Sequence, residues 1–151
     1  MIQPGFITEF SQLFEAAAAS AGVNQKYAIT GINKTDIAER AKAVPAKTLA
    51  FINIIPDFSG SGSDNDQLAD QAELMFFFLM KSSRKSPAEL LSIMDATLTA
   101  VMAFRGSILS GQIGSGCSWI HRLDWTGSKI IPESNLYELS GWMLTLKTLP
   151  I

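Results

Sequence analysis

The chain has 151 residues, 47% of them hydrophobic and 17% charged, with a formal net charge of −2 and a pI near 5.3. That length reads as one domain over 1–151, able to bury roughly 68–70% of its unfolded surface without a disulfide or a metal. The acidic balance argues against a sequence-specific nucleic-acid binder, and a single cysteine, Cys117, excludes an intramolecular disulfide.

The opening "MIQPGFITEF" lacks the basic start and apolar core of a signal peptide. No uninterrupted apolar run approaches the roughly 20 residues of a bilayer-spanning helix. The expectation is a protein used in the cytoplasm or passed from there into an assembly, with no membrane contact.

Residues 7–21 carry Phe10, Leu13, Phe14, Ala17 and Ala21 at spacings of three and four, with Phe6 just ahead of them. This predicts a helix with one apolar face, stopped at Gly22. "NKTDIAERAKAVP" offers a second, short helix that Pro45 ends. "TLAFINIIP", residues 48–56, reads as a strand closed by its proline. "DFSGSGSDND" follows, and its Gly, Ser and Asp content predicts a flexible loop.

Then comes "ELMFFFLMK", Glu73 to Lys81, with seven apolar residues in a row. A helix begun at an Asp64–Gln67 capping box would spread Leu74, Phe77 and Phe78 around its back. A strand sorts them better, with Leu74, Phe76, Phe78 and Met80 on one face and Met75, Phe77 and Leu79 on the other. The strand is the reading adopted here, antiparallel to 48–56. A strand apolar on both faces needs two covers. The N-terminal helix or a neighbouring subunit is expected to supply the second.

The cluster Lys81, Arg84, Lys85 fits a solvated connection into a helix. Ser86-Pro87-Ala88-Glu89 is an N-cap with Pro at the first helical position and Glu at the third. The helix is expected from Pro87 to about Arg105, with Leu90, Leu91, Met94, Leu98, Val101, Met102 and Ile108 on its inner stripe. "SGQIGSG" releases the chain. Trp119, His121, Leu123 and Trp125 alternate as a half-buried strand that Gly127 and Ser128 turn. In "GWMLTLKTL", Trp142, Leu144 and Leu146 face one way, and Met143, Thr145 and Lys147 the other. The fold class is α+β: a mostly antiparallel sheet of about four strands, one long helix packed on a face, and an N-terminal helix.

Signatures of chemistry are few. His121 is the one histidine, and Cys117, four residues before it, lies about 13 Å away on an extended strand. Both read as core or interface residues rather than a base and its nucleophile. One Cys and one His are too few for a zinc site. Asp57, Asp64, Asp66 and Asp70 lack the spacing of a calcium loop. The glycines 111, 114 and 116 leave a helix and enter a strand, the reverse of a phosphate-cradling loop. No enzyme activity, metal or cofactor is expected.

The element order resembles the tail-terminator and head–tail joining proteins of tailed bacteriophages. Three stretches carry the resemblance: an N-terminal helix leading to a strand pair joined by "SGSGSDND", a single long helix after "KSSRKSPAEL", and a closing strand pair ending in "NLYELSGWMLTLKTL". The resemblance implies a non-catalytic virion protein that forms a homo-oligomeric ring, usually of six copies. Such a ring sits at the tail–neck junction against tail-tube and connector proteins, and is assembled in the host cytoplasm. Its interface is expected at Phe58, Met75, Phe77, Leu79 and Met143. The alternative is a stand-alone ligand-binding α+β domain of unknown ligand, with the aromatic strand face lining its pocket.

Overall fold

The structure, a computed structural model, describes residues 4–32, 34–61, 69–82, 86–117 and 119–149. Three helices and five strands follow in the order α1 (Phe6–Ser20), β1 (Ala28–Gly31), α2 (Lys34–Lys42), β2 (Leu49–Ser61), β3 (Ala69–Lys81), α3 (Pro87–Leu109), β4 (Leu123–Leu136) and β5 (Leu139–Thr148). The sheet order is β1-β2-β3-β5-β4. The β1–β2 pair is parallel and the other three are antiparallel. The α+β class stands, with five strands where about four were expected. The addition is β1, whose "AITG" is too short for a period-2 pattern to register.

The strand reading of "ELMFFFLMK" holds. Leu74, Phe76 and Phe78 join Phe10, Phe14, Phe51, Phe104 and Trp119 in a core between the sheet and two helices, α1 and α3. Ring centroids in this cluster lie 4.6 Å apart for Phe14–Phe76 and 5.2 Å for Phe76–Phe104. The opposite face has its own, smaller core. Phe77 and Leu79 pack with Ile29, Ile52 and Leu139, and with Ile37, Ala41 and Val44 from α2 and the turn after it. The second cover is therefore internal, and it is α2 rather than the N-terminal helix. A parallel β1–β2 pair requires a crossover, and that crossover is the cover.

Four local expectations are corrected. Pro56 does not end β2; the register shifts between Ile54 and Asp57 and pairing resumes to Ser61. A bulge re-seats the strand around a residue that cannot donate. The predicted loop is thus strand as far as Ser61, and its remainder, with Asp64, Asp66 and Gln67, lies outside the described residues, as do Arg84 and Lys85. Gly127 and Ser128 do not reverse the chain either. They lie within β4, where Asp124 Oδ1 accepts from the Thr126 hydroxyl at 2.6 Å and from the Gly127 amide at 3.4 Å. That local turn bulges the strand between Asp124 and Lys129. The reversal comes at Tyr137 and Glu138, with φ of 53° and 67°.

The third correction concerns 119–125. Ile120–Arg122 form a 3-10 turn, so His121 is not on a strand and is exposed, while Trp119 and Leu123 are buried. The fourth is the orientation of α3. Its cap is as expected, with the Ser86 hydroxyl accepting from the Glu89 amide at 3.2 Å. Its buried stripe, however, is Ile93, Thr97, Ala100, Val101, Phe104, Ser107 and Ile108. Leu90, Leu91 and Met102, placed inside by the sequence reading, are 43%, 66% and 42% exposed.

Closing the sheet depends on Gly141. It lies opposite Leu79, and a Cβ there would run into the carbonyl oxygen of Phe78. On the same strand the Trp142 indole donates to the Met94 carbonyl of α3 at 2.9 Å, fixing the helix against the sheet.

Candidate interaction surfaces

The residues expected to form one interface do not form one patch. Leu79 is fully buried and Phe77 nearly so, both beneath α2. Neither is available to a partner. Phe58 is half-exposed on the helix-bearing face, edge-on to Phe6 at 5.7 Å between ring centroids. Met75 and half-buried Met143 lie on the opposite face, Met143 paired with Phe77 across β3–β5.

On that opposite face α2 covers one end of the sheet, and the other end is an open groove of about 460 Å³. Ile32, Ile54, Ile55 and Met75 supply apolar lining, and Ile32 and Met75 are 70% and 38% exposed. Charges bound it. Glu73 and Lys147 pair at 3.2 Å, and Asp124 and Lys129 line another side. The Thr126 hydroxyl holds the Asp124 carboxyl below the usual carboxylate range. An apolar strip within a charged rim is the composition of an interaction surface.

Beside the groove the sheet extends as an arm. The β1 pairing of β2 ends at Ile54, and the β5 pairing of β3 ends at Glu73. Beyond them Phe58–Ser61 pair only with Ala69–Ala72. The inner two of these four rungs are still held by the body, since Ala72 is fully buried and the Ala72 amide and Gln71 side chain donate to the Thr148 hydroxyl and carbonyl, each at 2.9 Å. The outer two, Gly60–Asp70 and Ser61–Ala69, pair with no further strand among the described residues. A two-stranded ribbon is marginally stable in water by itself. Phe58 on Phe6 is the aromatic contact that ties its base to α1.

The residues with potential chemistry stay apart in environment. Cys117 is buried, and its thiol donates to Glu9 Oε1 at 2.6 Å. Burial and the Glu9 carboxylate push it up to about 12. A thiol held protonated is a poor nucleophile. His121, by contrast, sits at the rim of a shallow depression with Trp125 and Ile113. Among the described residues no group of three His, Cys, Asp or Glu is placed to hold a metal ion. Among the described residues two buried polar groups have no partner, the Asn53 amide and the Trp119 indole N–H. The sequence reading passed over Asn53, whose place in the apolar run of β2 was its one signal.

The α3 helix is long enough, and at a mean hydropathy of 1.3 apolar enough, to meet the length and composition of a membrane span, although its apolar residues are interrupted. In this fold Val101 and Phe104 of that helix are fully buried against the rest of the chain.

No protein-family model, no curated protein and no solved structure matches this chain.

Proposed function

We propose that this chain is a structural subunit that assembles head-to-tail with copies of itself, rather than an enzyme. The observation that carries the reading is the presence, on one chain, of a β2–β3 arm whose outer rungs pair with no further strand among the described residues and an apolar groove left open beside it. An arm that is marginal alone gains order by lying on a neighbour, and the groove is the surface left open for it. Contacts of this heterologous kind close into rings when the rotation between copies permits. The element order read from the sequence resembles that of phage tail-terminator and head–tail joining proteins. On that likeness the assembly is a ring at the tail–neck junction, seated between tail-tube and connector proteins and made in the host cytoplasm. It needs no cofactor.

Native mass spectrometry with negative-stain electron microscopy tests this. The expected result is a closed ring whose formation Met75→Asp impairs while the fold is kept. A wild type that stays monomeric at high concentration overturns it. That outcome would favour the second reading, a stand-alone ligand-binding domain, because the groove has the volume of a small-molecule site.

A further inference from the structure

The outer face of α3 has no cover among the described residues. Opposite its buried stripe run Leu91, Asp95, Leu98, Met102, Arg105 and Leu109, at spacings of four and three in alternation. That is the seam of a two-helix coiled coil, not the pattern of a solvated helix face. Leu91, Met102 and Leu109 are 66%, 42% and 58% exposed. Beside the seam lies a second exposed stripe of Ser92, Ala96, Thr99, Ala103, Gly106 and Ser110, none of them tall enough to hold another helix away. A Cβ on Gly106 would meet nothing within 4 Å. Its own chain therefore gives no packing reason for the poorest helix former after proline at that position.

The seam is symmetric about residue 100. A two-fold axis there, relating antiparallel helices, sets Leu91 against Leu109 of the partner subunit and Leu98 against the partner subunit's Met102. It also sets Asp95 against the partner subunit's Arg105, twice. Parallel helices would instead stack Asp95 on Asp95 and Arg105 on Arg105. Among the described residues neither of these charges has an ion-pair partner within its own chain. Arg105 lies along the seam, with Nη2 at 3.2 Å from Met102 Sδ.

We propose that α3 is a self-recognition surface, pairing antiparallel with α3 of a second copy. This contact is isologous, with the same patch on both partners. It is thus separate from the head-to-tail contact proposed above, and a ring that used it would pair face to face with a second ring. The seam from Leu91 to Leu109, 18 rises of about 1.5 Å each, is about 27 Å long and about one helix wide. That is narrower than the roughly 800 Å² per partner of a standard stable interface. The pairing is therefore weak and concentration-dependent.

Sedimentation velocity of the full chain over a wide concentration range tests it. The wild type should show a reversible doubling of mass, of the monomer or of the ring. Asp95→Arg and Arg105→Asp should each weaken that doubling by about tenfold or more, with circular dichroism unchanged because both side chains lie on the outer face. The double variant Asp95→Arg/Arg105→Asp should restore it, because the swapped charges meet again across the two-fold axis. The proposal is overturned by a wild type that never doubles, including one that instead binds phospholipid vesicles through α3. Single variants that pair normally, or a double variant as weak as the singles, overturn it equally. Loss of doubling with rings intact separates this contact from the ring contact.

Discussion

Phe77 decides whether the second face of the sheet is internal. It lies between Ile52 on β2 and Met143 on β5, is 7% exposed, and belongs to the cluster that α2 covers. Truncating a buried Phe to Ala costs about 3–5 kcal/mol, including the cavity left behind. Met75, two residues away on the same face but 38% exposed, loses less than the roughly 1.5–3 kcal/mol of a fully buried side chain, about 1–2 kcal/mol. For a domain of this size each kcal/mol moves Tm by about 2–4 °C, so Phe77→Ala should fall by about 6–20 °C. Urea unfolding at low protein concentration gives the free energies free of assembly. The specific claim is the cover, and Ile37 of α2, 3% exposed in the same cluster, tests it. In a double-mutant cycle Ile37→Ala and Phe77→Ala should couple by about 0.5 kcal/mol or more. Additive losses, or a Phe77→Ala loss no larger than that of Met75→Ala, would refute the placement of α2 over this face.

Gly141→Ala drives a methyl into the Phe78 backbone at the centre of the sheet. Overpacking that cannot be relieved by a side-chain shift costs about 3 kcal/mol or more, and a thermal melt matching the wild type would contradict the β3–β5 register. Asn53→Leu removes two unpartnered buried polar atoms at similar volume. It should stabilise by about 1–3 kcal/mol in urea, whereas a loss would mean that the amide has a partner. For Cys117, raised in the folded state to about 12 from an ordinary 9.0, the unfolded chain releases the proton first. Its contribution is therefore complete below about pH 9 and is lost as pH rises toward 12. The stability difference between wild type and Cys117→Ser should shrink across that window in pH-dependent urea titrations. A difference that is flat or grows would exclude a protonated, buried thiol.

Local signals were legible where one physical cause dominated. The Ser86 cap, the α1 stripe and the alternation of β5 each depend on short-range geometry, and each is found as the sequence implies. The α3 face was not legible, because the helix is apolar nearly all round: periodicity can choose a buried side only against a polar one. Phe104 turns inward because its ring meets Phe51, Phe76 and Phe78 on the sheet, which is information held in other elements. For the same reason His121 was misplaced. Alternation over 119–125 looked like a strand, but the backbone makes a 3-10 turn after Cys117 that no glycine or proline marks. The groove was half legible. Met75 was picked out by its strand face, and Ile54 faces it across the β2–β3 pair, while Ile32 reaches the groove only through the β1–β2 crossover.

The order β2-β3-β5-β4 also carries a kinetic consequence. Two hairpins, β2–β3 and β4–β5, each close locally, and the sheet becomes continuous only when β3 meets β5 with all of α3 and β4 intervening in the chain. Contacts so distant in sequence repay their loop-closure entropy late. Docking of the two hairpins is accordingly the step expected to limit the folding rate. Until it occurs, the strand edge bearing "MFFFLM" is unpaired on one side, the most aggregation-prone stage of the molecule's life. Rapid capping of that edge by β5 then serves solubility as much as stability, and it requires Gly141, where a Cβ would run into the Phe78 backbone. Stopped-flow refolding of a mild β5 variant such as Leu144→Val should be slowed in proportion to its loss of stability. An unchanged folding rate would place hairpin docking after the barrier.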